Sequence, residues 1–161
     1  MRTLSSIATA VTLIAAAGAA PLAAQAASAG HRLRWGPQIT YDFNGDNLGG
    51  GARLEYSLSP LLSSNRIDGL AEANWFPATV DLFDIAYNVA YRFNTPNLAP
   101  YAGGGLSLGI ASGGGATATN LHLNAVGGLK LKPMGRVTPV VQLRYVFVKG
   151  DALFLTGGIL F

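Results

Sequence analysis

Eight stretches of alternating apolar and polar residues, a phenylalanine that ends the chain on the apolar parity of the last stretch, and an alanine-rich leader together predict one fold class. The expectation is all-β: an eight-stranded antiparallel up-and-down transmembrane β-barrel following a cleaved signal peptide. Successive side chains of a strand point to opposite faces, so a period of two marks a sheet with one apolar and one polar side. Half of the 161 residues are hydrophobic and 12% are charged, which is lean for a water-soluble chain of this size. Outside the first thirty positions no run approaches the roughly 20 consecutive apolar residues of a membrane-spanning helix.

The leader comes first. Arg2 supplies a positive start, Ile7 to Ala19 an apolar run, and Ala24-Gln25-Ala26 and Ala27-Ser28-Ala29 small-residue cleavage sites. Residues 1–29 therefore read as a signal peptide cut after Ala26 or Ala29, with 30–161 as the barrel.

Strand one sets Leu33, Trp35, Pro37, Ile39, Tyr41 and Phe43 against Arg34, Gln38, Thr40 and Asp42, and Asn44-Gly45-Asp46-Asn47 turns it. Strand two opposes Ala52, Leu54, Tyr56 and Leu58 to Arg53, Glu55 and Ser57, and Pro60 ends it. Strand three, Arg66 to Phe76, places Ile67, Ala71, Ala73 and Trp75 opposite Asp68, Glu72 and Asn74. Leu70 breaks its pattern and suggests a bulge. Strand four is the cleanest, with Phe83, Ile85, Tyr87, Val89, Tyr91 and Phe93 alternating with Asp84, Ala86, Asn88, Ala90 and Arg92. After the turn at Asn94-Thr95-Pro96-Asn97, strand five carries Ala102, Gly104, Leu106, Leu108 and Ile110, and Ser112 to Thr119 reads as a flexible loop. Strand six opposes Leu121, Leu123, Ala125, Leu129 and Leu131 to His122, Asn124, Lys130 and Lys132, and Pro133-Met134-Gly135 turns it. Strand seven sets Val137, Val141, Leu143, Tyr145 and Phe147 against Thr138, Gln142 and Arg144. A tight turn at Lys149-Gly150-Asp151 then leads to strand eight, with Leu153, Leu155, Gly157, Ile159 and Phe161 on one face.

The lumen of an eight-stranded barrel is only just wide enough for ordinary side chains. It has no room for about a dozen large aromatics, so the apolar parity is expected outward, in lipid, and the charged parity inward. The expected lumen charges are Arg53, Glu55, Glu72, Asp84, Arg92, Lys130 and Arg144. Closure satisfies every backbone hydrogen-bonding group, which lipid demands. Aromatics near strand ends, among them Trp35, Tyr41, Trp75, Tyr91 and Tyr145, suit interfacial girdles.

Several residues together carry a family likeness. The segment Leu98-Ala99-Pro100-Tyr101-Ala102-Gly103-Gly104-Gly105-Leu106, then Asn124-Ala125-Val126-Gly127-Gly128-Leu129-Lys130, then Arg136 to Tyr145 with the terminal Phe161, resembles the small bacterial outer-membrane β-barrel family, the OmpA-like and opacity-like or porin-family group. That resemblance implies the outer membrane of a Gram-negative bacterium, contact with outer-membrane lipid, and insertion by the barrel-assembly machinery. It assigns the assembly signal to Phe161, Ile159 and Leu155; the sequence does not give the oligomeric state, for which a monomer is the expectation. Two departures from the family stand out: the chain stops at the barrel, without a peptidoglycan-binding domain, and its outward loops are short.

Little in the sequence spells chemistry. With no cysteine there are no disulfides or thiolate metal sites, and a formal charge of +3, Arg2 included, is too weak to argue for nucleic acid. His31 sits at a strand start, and the same-face neighbour of His122 two residues on is Asn124, so no nucleophile–base pair is spelled locally. Gly103-Gly104-Gly105 lacks the lysine and helix of a phosphate loop. No catalytic residue, cofactor or metal is expected. The reading is a structural, envelope-stabilising barrel with a charge-plugged lumen; the alternatives are a narrow porin for small polar solutes or ions and, third, a lipid-modifying enzyme.

Overall fold

The computed structural model describes residues 33–161, apart from 59–61, 63, 79, 94, 96–97, 114 and 148–150. The leader, His31 and the Lys149-Gly150 part of the last turn fall outside the described residues. Eight strands follow in chain order: β1 (Arg34–Asp42), β2 (Asn47–Ser57), β3 (Ile67–Phe76), β4 (Asp81–Arg92), β5 (Leu98–Gly113), β6 (Ala116–Leu131), β7 (Thr138–Phe147) and β8 (Ala152–Leu160). Each pairs antiparallel with the next, and β8 returns to β1 through Gln38↔Gly158 to Asp42↔Phe154, closing the barrel. Closure leaves no sheet edge to solvate in lipid. The end where β1 begins and β8 finishes is called the base here, and the opposite end the rim.

The arrangement is inverted relative to a protein folded in water. Among the described residues, 17 buried side chains are polar or charged against 11 that are apolar. Ile39, Leu121 and Leu123 stand on the outside at 60%, 65% and 64% exposure. Such an exterior is stable only against an apolar solvent, so the barrel spans a lipid bilayer with strands. Aromatics gather at the strand ends as a Tyr-x-Phe repeat: Tyr41 with Phe43, Tyr91 with Phe93, and Tyr145 with Phe147. Each pair meets edge-on, with ring centres 5.0–5.1 Å apart.

Three local expectations are corrected or sharpened. Leu70 marks no bulge: β3 pairs without interruption on both sides, Leu70 opposite Glu55 and Asn88, and its side chain is buried in the lumen. It is apolar on the polar parity because the lumen needs filler as well as charge. Ser112 to Thr119 is no flexible loop either. It forms the outer part of a β5–β6 hairpin paired out to Gly113↔Ala116, and Gly115 takes the positive φ of 82° that the turn requires. Finally, the polar parity carries Phe76, Tyr101 and Phe154 inward as well.

The closing seam is short but well supported. Phe43 N donates to Leu153 O at 3.0 Å near the rim, and Phe161 N donates to Trp35 O at 2.9 Å at the base. The Trp35 and Phe161 rings lie 5.7 Å apart beside that last bond. Phe161→Ala keeps the backbone bond but removes the ring contact. We predict refolding into lipid vesicles slowed several-fold, read by tryptophan fluorescence; an unchanged half-time would remove Phe161 from the closing step.

Candidate functional site

The lumen is the only place where the chain concentrates polar chemistry among the described residues, and it does so in two layers. Near the base, Arg53 on β2 commits its whole guanidinium. Nε donates to Glu55 Oε1 (3.0 Å), Nη1 to Gln142 Oε1 on β7 (2.8 Å) and Nη2 to the Tyr101 hydroxyl on β5 (3.0 Å), with Glu72 Oε1 on β3 at 3.3 Å. Gln142 Nε2 donates to Glu72 Oε1 (2.7 Å) and Tyr101 OH to Gln142 Oε1 (2.8 Å). Lys130 Nζ on β6 bridges Glu55 Oε2 (2.7 Å) and Asp68 Oδ2 (3.1 Å). Arg34 reaches Glu55 from β1 at 3.2 Å, and Arg92 reaches Asp68 from β4 at 3.5 Å. Residues from seven of the eight strands thus meet across one cross-section. A buried ion pair is tolerable only when its remaining hydrogen-bonding capacity is used, and here nearly all of it is.

Nearer the rim, Arg144 on β7 pairs with Asp84 on β4 and stacks over the Phe154 ring at 4.9 Å. Asn74 Nδ2 donates to the same Asp84 oxygen (3.4 Å), while Asn74 Oδ1 accepts from Gln38 (2.7 Å) and Thr40 (3.0 Å). Apolar filler completes the packing. Leu70, Ala90, Tyr101, Val126, Val140 and Leu160 form one cluster, and Phe76, Val146 and Phe154 a second.

Of the charges expected in the lumen, Arg53, Glu55, Glu72 and Lys130 come together in the base layer, and Asp84 and Arg144 form the rim pair. Arg92 departs from the expectation: it sits at the base mouth with its side chain a third exposed, because it ends β4. Leu155, Ile159 and Phe161 all face outward on or just after β8. Strand-by-strand reading missed Asp68, Tyr101 and Gln142 as members of the network. Each lies on the polar parity of its strand, so parity was the available signal.

Ser107 on β5 lies directly opposite His122 on β6, partners that the local spelling around His122 never shows. The Ser107 hydroxyl is buried and has no hydrogen-bond partner, so it is not joined to His122. Beside it, Asn88 and Asn124 flank Gly105 from β4 and β6, and their amide groups are likewise unpartnered. Two cavities bound the layers, one of about 160 Å³ beneath the rim and one of about 390 Å³ at the base beside Arg66 and Arg92.

No protein-family model matches the chain, and no curated protein does. Solved structures do match. The N-terminal β-barrel domain of Pseudomonas aeruginosa OprF superimposes with a TM-score of 0.64 at 15% identity, over 80% of this chain and 95% of that one. Neisserial surface protein A gives 0.57 at 18% identity, over 81% and 97%. Ail, the attachment invasion locus protein of Yersinia pestis, gives 0.51 at 16% identity, also over 81% and 97%. At such identities the common property is the fold.

Proposed function

We propose that this chain, which has the fold of the small eight-stranded outer-membrane barrels, is a non-catalytic structural component of the outer membrane with a lumen closed by its own ion pairs. It stabilises the envelope as a monomer in contact with outer-membrane lipid, after insertion by the barrel-assembly machinery. One observation carries this reading. Arg53 reaches from β2 to Tyr101 on β5 and Gln142 on β7, so a single side chain bridges the barrel where a water column would have to pass. Burial also makes each pair expensive to open, since separating it strands a charge away from water.

The cavities toward rim and base are what favour the second reading, a narrow porin, in which they would serve as the vestibules of a path opened by rearranging the ion pairs between them. Single-channel recording across a planar bilayer decides between the two. The expected result is silence from the folded protein, with discrete steps from a Tyr101→Ala, Gln142→Ala double variant whose folding is checked by heat-resistant gel mobility. Reproducible steps from the unaltered protein would overturn the closed lumen. The enzyme reading rests only on the unjoined Ser107–His122 pair, and unchanged lipid A mass spectra on deletion would be its refutation.

A further inference from the structure

We infer that the cavity beneath the rim is a binding site for a small organic cation, an ammonium group on a short apolar body. It measures about 160 Å³, and its wall includes Asp42, Leu82, Asp84, Ser107, His122 and Phe154. That is the share of roughly five waters at ~30 Å³ each, enough for a primary amine with a short alkyl chain.

Asp42 supplies the first reason. The residue is 6% exposed, and its carboxylate accepts a bond from Asn44 N at 3.0 Å. Among the described residues no cation lies within ion-pairing distance of it, whereas Asp84 is neutralised by Arg144. A carboxylate that faces the cavity with no cation beside it among the described residues attracts an entering ammonium group. Ser107 supplies the second. Its hydroxyl, 1% exposed and without a partner, lines the same cavity as an acceptor for an ammonium N–H.

The charge distribution along the barrel agrees. Around the rim the described ionised side chains outside the lumen are Asp46, Asp81 and Asp151, with Lys149 beyond the described residues. The base instead carries Arg34, Arg66, Arg92, Lys132 and Arg136. A mouth whose described charges are all of one sign raises the local concentration of the opposite ion. Leu82 and Phe154, with Val146 and Ala152, form an apolar wall that a bare hydrated ion would leave unused. The acidic and imidazole groups here do not converge as a metal-ligand set. An amphipathic amine matches both walls.

The test is a titration of the folded protein with n-butylammonium in uncharged maltoside micelles, followed by NMR at His122 and the Ala152 methyl. The expected result is a saturable shift at both, absent with butanol and with butyrate. Asp42→Asn should weaken binding about tenfold, as for one lost charge-assisted contact, and Ser107→Ala should weaken it less. Ala152→Leu, which fills the cavity and leaves every charge in place, should abolish it. Equal shifts with butanol, or binding undiminished in Ala152→Leu, would overturn the site. Should Asp42→Asn fail to fold, the wild-type comparison and Ala152→Leu decide the matter alone.

Discussion

Asp84→Ala is expected to lower the free energy of unfolding by about 3–5 kcal/mol, the usual cost of stranding a buried charge. Arg144 is 1% exposed, and Asp84 is the one carboxylate it pairs with among the described residues. Its Nη1 already lacks a hydrogen-bond partner, so nothing is at hand to take up the lost bond. Glu72→Ala should cost less, although it too removes a buried carboxylate, because Arg53 retains Glu55 at 2.9 Å. Equilibrium unfolding by urea in lipid vesicles gives both values. Arg144→Met combined with Asp84→Leu should recover most of the loss, since a well-packed apolar pair often replaces a buried ion pair without penalty. If the Asp84→Ala midpoint stayed at the wild-type value, the rim pair would be irrelevant to stability.

Gly36→Ala is the second large effect. Gly36 faces inward on β1 at the seam, and a Cβ there would lie 1.7 Å from the Ile159 carbonyl oxygen on β8. Overpacking a core usually costs about 1–3 kcal/mol, and a clash with backbone, which cannot change rotamer, lies at or beyond the top of that range. Unheated gel electrophoresis should show little of the compact folded form. At the same seam, Gly157 faces outward with nothing within 4 Å of its would-be Cβ. Gly157→Ala should therefore be neutral or gain up to about 0.5–1 kcal/mol, as glycine to alanine does in open strand. Equal behaviour of the two variants would mean that the inward glycine is not required by the close approach of β8.

The contrast between these glycines shows what a sequence pattern conveys. Both positions are glycine and both lie on clean strands, yet one touches a neighbouring backbone and the other touches nothing. Parity assigns a face, and Arg53, Glu72, Asp84 and Arg144 are all buried on the inward one. Composition misled at Ser112 to Thr119, where glycine, alanine and threonine looked like a loop. Small residues also suit a hairpin whose backbone ladder, not its side chains, holds it together. Leu70 misled for the opposite reason, because an apolar residue inside a polar lumen imitates a register slip.

By itself the sequence determined the number of strands, the inside and outside of each, and the inverted solvent preference, because all three follow from a local period of two. Only the tertiary structure decided the partners. Arg53 and Gln142 lie 89 residues apart, and Arg144 and Asp84 60 apart. Which of them meet depends on how strand tilt and stagger close the sheet, and those are properties of the whole barrel that no single strand encodes.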